Sequence, residues 1–154
     1  MDKITTLEQL FAMKPAGQYE LLNDIDCQGQ IIKCLLADFK GTINGNGYTI
    51  SNLCIEETAE GDTQPIALFH TLRKAIIRDV IIDNLSMKVH RGCFRPNIAA
   101  LCVECSNSVI QNVEVRVINA NKSKIPLIYD SNDNEISNAS ITCNGNSSII
   151  IKYE

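Results

Sequence analysis

The stretch that decides the fold is ISNLCI at residues 50–55. Its pattern is apolar, any residue, Asn or Asp, apolar, any residue, apolar. It recurs as IRDVII at 77–82, IQNVEV at 110–115 and ISNASI at 136–141. The Asn/Asp positions are Asn52, Asp79, Asn112 and Asn138, spaced 27, 33 and 26 residues apart. Upstream of the last three sits a second apolar cluster, ALF at 67–69, ALC at 100–102 and PLI at 126–128. In each case its Leu lies nine residues before the first Ile of the motif. Two features at one fixed offset make an internal repeat.

Each unit holds two or three short alternating strands separated by Gly, Asn, Ser or Asp, with no stretch that reads as a crossover helix. Units of this size stack as a solenoid, each coil bonded to the next at about 4.8 Å. The spacing therefore predicts an all-β parallel β-helix of about four to five coils in a single domain over residues 1–154. Leu53 and Ile55, Val80 and Ile82, Val113 and Val115, and Ala139 and Ile141 are expected to point inward. Cys54, Ile81, Glu114 and Ser140 are expected to face out. The Asn/Asp column suits a bend, where these residues tolerate left-handed backbone and their amides can bond from coil to coil.

A solenoid has two ends to manage. ITTLEQLFAMKP reads as a capping α-helix over 5–14, with a Thr5–Glu8 capping box, Leu7, Leu10 and Phe11 on one face, and Pro15 as the stop. It is expected to plug the first coil, YELLNDIDCQG at 19–29, with coils filling 17–154. SSIIIKYE at 147–154 reads as a bare apolar strand whose edge, Ile149, Ile150, Ile151 and Tyr153, invites homodimerisation.

Apolar residues make up 45% of the 154 and aromatics 5%, with no Trp, so the core must be aliphatic. Net charge is −4, which argues against direct nucleic-acid binding by the whole domain. The charge is uneven. Residues 1–62 hold four Lys/Arg against ten Asp/Glu, and residues 73–95 hold six against two. No run reads as a membrane span or a secretory leader. With seven cysteines in no framework spacing, the expectation is free thiols in the cytoplasm, or an extracellular setting if the chain is a piece of a secreted protein.

The stretches ITTLEQL, YELLNDIDCQG, FKGTINGNGYTISNLCI and IALFHTLRKAIIRDVIIDNL, within residues 4–85, carry a resemblance. They are similar to bacterial right-handed parallel β-helix proteins of the GLUG-repeat and adhesin-like kind. The resemblance implies a right-handed coil, and turn positions at Gly41, Gly45 and Gly47 that need positive φ or close backbone approach. It also implies membership of surface proteins that bind ligands or present other modules.

Larger β-helix proteins cleave polysaccharides, which needs carboxylates on one face at a set separation. Asp79 with Asp83 and Asp130 with Asp133 are the candidate pairs, but no column of acids with Arg or Lys in stacked coils is expected. No catalytic residue, metal ligand or cofactor is assigned. His70 and His90 fit no nucleophilic arrangement. Cys102 and Cys105 form a lone CxxC whose thiols, on an extended strand, would face opposite ways. Cys102 aligns with Phe69 and Ile128 as a core position. GTINGNG lacks the helix and Lys of a phosphate loop.

One segment breaks the regularity. Between Asp79 and Asn112 about six extra residues fall in SMKVHRGCFRPN at 86–97, and insertions in solenoids emerge as loops on one face. Lys88, His90, Arg91, Phe94 and Arg95, extended by Arg73 and Lys74, form the expected partner-binding patch, with planar Arg donors and an aromatic anchor. The competing reading is a solvated loop with Phe94 packed back on the core. Glu56, Glu57, Glu60 and Asp62 form a secondary acidic patch. The function expected is a small, non-catalytic intracellular scaffold that engages and inhibits a protein partner, such as a phage or mobile-element inhibitor of bacterial defence. The alternatives are an excised surface adhesin or carbohydrate-binding domain and, last, a polysaccharide-cleaving enzyme.

Overall fold

The computed structural model describes residues 1–57, 65–89, 97–118, 120 and 124–154, with the Glu57 side chain outside the described set. The chain is predominantly β, as its alternating pattern predicts. Its strands form parallel sheets. In the larger sheet, Asp2–Ile4, Gln18–Leu21, Thr42–Asn44, Ile76–Val89, Val109–Ile118 and Glu135–Cys143 are successive neighbours. Ile76–Val89 is 14 residues long and bends, so its later parts pair with Thr49–Ser51 and Cys54–Glu57. The second sheet orders Leu36–Phe39, Phe69–Arg73, Cys102–Ser106, Ile128–Asn132 and Ile151–Tyr153. Pro65–Ile66 and Asn97–Ile98 make a two-stranded third.

The core draws on residues of both larger sheets and is mainly aliphatic, as the composition requires, with Phe39 and Phe69 packed ring to ring within it. Leu68, Leu101 and Leu127 are fully buried, and Phe69, Cys102 and Ile128 are register partners in one core column. Leu53, Ile55, Val80, Ile82, Val113, Val115 and Ile141 are buried as predicted, and Ala139 is half-buried. Alternation does this: on a pleated strand every second side chain meets the same face.

The bends correct the sequence alignment of Asn52. It does not stack on Asp79. The ISNLCI strand segments lie beside the end of Ile76–Val89, with Ile50 opposite Ile82 and Ile55 opposite Met87. Asn52 therefore meets Asn84. Two amide ladders result. In one, Asn84 Nδ2 donates to Asn52 Oδ1 at 2.6 Å and Asn52 Nδ2 donates to Asp26 Oδ1 at 2.9 Å. In the other, Asn138 Nδ2 donates to Asn112 Oδ1 at 2.7 Å and Asn112 Nδ2 to Asp79 Oδ1 at 2.8 Å. Asn52, Asp79, Asn84, Asn112 and Asn138 all have φ between 50° and 62°, the left-handed region that Asn and Asp enter most readily. Each ladder ends in an Asp that only accepts, which suits a terminal rung.

The N-terminal helix is shorter than expected and capped one residue later. It spans Leu7–Phe11. Thr6, not Thr5, is the N-cap: its Oγ1 accepts from Gln9 N–H at 3.2 Å, and Gln9 Oε1 accepts from Thr6 N–H at 3.2 Å and Thr5 N–H at 2.7 Å. The side chain at the third helical position, Gln9, closes the box. Leu10 is fully buried, whereas Phe11 is 37% exposed and does not share its face. A strand the sequence did not announce, Asp2–Ile4, precedes the helix and pairs with Gln18–Leu21.

At the other end, 147–154 is not one strand. Asn146–Ser147 pairs antiparallel with Thr142 and Cys143, and the chain then forms Ile151–Tyr153.

Candidate functional site

One residue of each patch read from the sequence, Lys88 of the basic and Glu56 of the acidic, lies on adjacent strands. Lys88 lies in register with Glu56, and Val89 with Glu57, where Cys54–Glu57 runs beside the end of Ile76–Val89. Lys88 is exposed and Glu56 half-buried. The neighbouring return strands, Pro65–Ile66 and Asn97–Ile98, are themselves parallel partners. His90, Arg91, Phe94 and Arg95 of the basic patch, and Glu60 and Asp62 of the acidic one, lie outside the described residues, as does the Glu57 side chain.

Arg73 and Lys74 lie at the opposite end of Ile76–Val89 from Lys88. Both are exposed and sit before its first residue, whereas Lys88 sits near its last. The left-handed bends at Asp79 and Asn84 separate them. Lys74 itself occupies a bend, with φ 52°, and its N–H donates to Ser106 O at 3.1 Å.

Arg73 belongs to a feature that the sequence reading missed. On the second sheet Asp38, Thr71, Glu104 and Asp130 are register partners in one column. Arg73, Ser106 and Asn132 form the parallel column two residues on. Between them lies an open hollow of about 600 Å³, lined by Thr71, Arg73, Glu104, Ser106, Asp130 and Asn132 among others. The expectation that no acids would stack beside an Arg is therefore overturned. The ion pairs of the described residues both involve Arg116, with Asp83 at 3.3 Å and Glu114 at 3.0 Å, so Arg73, Glu104 and Asp130 make none there. The signal was available: Asp38, Thr71, Glu104 and Asp130 are 33, 33 and 26 residues apart, and the last two spacings are those of Asp79, Asn112 and Asn138.

The CxxC also departs from its expectation. Cys102 and Cys105 are both buried while Glu104 between them is exposed, so the strand does not alternate strictly and both thiols face inward. Burial pushes the Cys102 thiol well above its ordinary range. A hydrogen bond from Cys102 holds Cys105 lower than an ordinary thiol, burial opposing it. Cys27 is pushed up to about 12 by burial, with the Asp26 charge adding. Cys27, Cys54, Cys102 and Cys105 are free thiols. No group of three or more His, Cys, Asp or Glu that could hold a metal occurs among the described residues.

The proposed dimer edge divides. Ile149 and Tyr153 are 52% and 53% exposed, whereas Ile150 and Ile151 pack partly buried against the core. Tyr153 stands edge-on to Tyr129 at 5.2 Å between ring centroids, and Lys152 Nζ lies 5.7 Å from both rings. No helix of the described residues is long and apolar enough to cross a membrane. No family model, curated protein or solved structure matches the chain.

Proposed function

We propose that the chain is a small right-handed parallel β-helix that serves as a non-catalytic scaffold, binding and inhibiting a protein partner inside the cell. The observation that carries the binding reading is the register of Lys88 with Glu56. It puts the roots of the basic insertion and of the acidic turn on adjacent strands, so a partner with complementary charge meets both at once. The coil reading rests on strands that pair in parallel with neighbours 26 to 33 residues away, as Ile77 does with Ile110 and Ile110 with Ile136. Right-handedness follows from the preference of parallel crossovers, and it agrees with the resemblance to GLUG-repeat and adhesin-like proteins. Free, buried thiols at Cys27, Cys102 and Cys105 suit a reducing compartment.

The test is affinity capture from reduced, nuclease-treated bacterial lysate. It compares wild type with an Arg91→Glu, Phe94→Ala, Arg95→Glu variant of unchanged circular dichroism and melting. A protein retained by the wild type and lost by the variant supports the reading. Equal retention by both removes the insertion from it.

A second reading, a surface domain that binds or cleaves polysaccharide, is favoured by the hollow beside Glu104 and Asp130. Glu104 and Asp130 are register partners on neighbouring strands, and Arg73, Ser106 and Asn132 line the same hollow. Binding to a panel of acidic and neutral polysaccharides, lost on Glu104→Gln with Asp130→Asn, would favour it over the protein-binding scaffold.

A further inference from the structure

The chain contains three Asn–Gly steps, Asn44–Gly45, Asn46–Gly47 and Asn144–Gly145. An Asn followed by Gly is chemically self-reactive, because no Cβ shields the following backbone nitrogen from the Asn side chain. The three steps differ in what holds that nitrogen. Gly45 N–H donates to Arg78 O at 2.8 Å and Gly47 N–H donates to Asp79 O at 2.8 Å. Both nucleophiles are tied into the neighbouring strand, and the strands on either side are in place. Gly145 differs. It occupies an exposed two-residue hairpin turn, with φ 52° at Asn144 and 84° at Gly145, closed by the pairing of Cys143 with Asn146. Its N–H bonds to no described residue.

We propose that Asn144 is a site of spontaneous covalent modification, converting to aspartate and isoaspartate in the folded protein while Asn44 and Asn46 stay intact. Hydroxide or general base removes the Gly145 N–H proton, and the nitrogen attacks Cγ of Asn144. The N–Cγ bond forms, the Cγ–Nδ2 bond breaks, and ammonia leaves carrying a proton. Water then opens the cyclic imide at either carbonyl, giving aspartate or isoaspartate. No oxidant or further reactant is needed.

The reaction requires the Asn144 side chain to leave its place. There it accepts from Ala120 N–H at 3.2 Å and donates from Nδ2 to Ala120 O at 3.3 Å. Both contacts are long and lie at the surface, so local opening of the turn exposes the reacting atoms. The product matters to the fold. Aspartate keeps an acceptor for Ala120 N–H but loses the donor to Ala120 O. Isoaspartate lengthens the backbone inside a two-residue turn and removes the geometry that pairs Cys143 with Asn146.

The experiment is a time course of the folded chain in mildly alkaline buffer, with peptide mass spectrometry and isoaspartyl methyltransferase labelling. A parallel course runs in denaturing urea. The expected result is conversion of the peptide holding Asn144 several-fold faster than that holding Asn44 and Asn46 in the folded protein, with the rates converging in urea. Equal rates in the folded protein would overturn the proposal. So would an unconverted Asn144 in folded protein whose urea-treated counterpart converts, because the turn would then be protecting rather than exposing it.

Discussion

The side chain of Asn112 donates 2.8 Å from Nδ2 to Oδ1 of Asp79 one strand away, at positions where both residues hold a left-handed backbone. One residue type thus satisfies two demands of a bend, a positive φ and a bond to the next strand. Asn112 also accepts from Asn138 at 2.7 Å, so it is the middle rung. Asn112→Ala removes both bonds and forces a Cβ-bearing apolar residue into positive φ. The expected loss is about 1–3 kcal/mol, read as a lower urea midpoint at unchanged slope. Asp79→Asn keeps an acceptor oxygen and should stay within about 0.5 kcal/mol of wild type.

Gly45 and Gly47 separate two reasons for glycine. At Gly47 φ is 82° and nothing lies within 4 Å of an added Cβ, so Gly47→Ala meets backbone strain alone, about 1 kcal/mol. At Gly45 an added Cβ would run into the Asp79 carbonyl and come within 2.7 Å of Val80 Cα. That obstacle is backbone held in the sheet and cannot swing aside. Gly45→Ala should cost about 3 kcal/mol, and thermal melting of the two variants side by side checks the order.

The helix cap gives a sharper discrimination. Thr6→Ala removes the acceptor for Gln9 N–H and is expected to cost about 1 kcal/mol. Glu8→Ala touches only the favourable charge in the first turn, about 0.3 kcal/mol. Comparable losses for the two would point back to the Thr5–Glu8 box that the sequence suggests.

Asp26 links the other ladder to pH. Its carboxyl is held below its ordinary value of 3.8 by the Asn52 amide first and the Gln28 N–H second. A carboxyl depressed in the folded state contributes stability that is fully present above the unfolded value. That contribution is lost as pH falls through the folded one. Acid titration of folding should therefore show a decline below 3.8 that is shallower in Asn52→Ala.

Much of the fold could be read in the sequence because burial leaves a period. The inward residues Val113, Val115 and Val117 alternate, and Leu68, Leu101 and Leu127 keep one offset from the motif. The Asn52 pairing could not be read the same way. Ile76–Val89 carries the pattern twice, as IRDVII at 77–82 and again as IDNLSM at 82–87. Both bends need the same left-handed residue, and only the register shows which copy Asn52 faces. The acid column was missed because the repeat was aligned on its inward residues and not on the outward Asp38, Glu104 and Asp130. The inward turn of both Cys102 and Cys105 breaks strict alternation, the one rule from which their faces were inferred.

The measurement that bears most directly on the binding account is a charge-swap series at Lys88 and Glu56, scored as affinity for the protein captured by the wild type. The variants are Lys88→Glu, Glu56→Lys and the pair together, each checked for an unchanged melt. If partner contacts span this edge, each single reversal weakens binding by about 1 kcal/mol or more, and the pair departs from additivity because the residues are neighbours. Unchanged affinity in all three variants would contradict the account and move the site away from this edge.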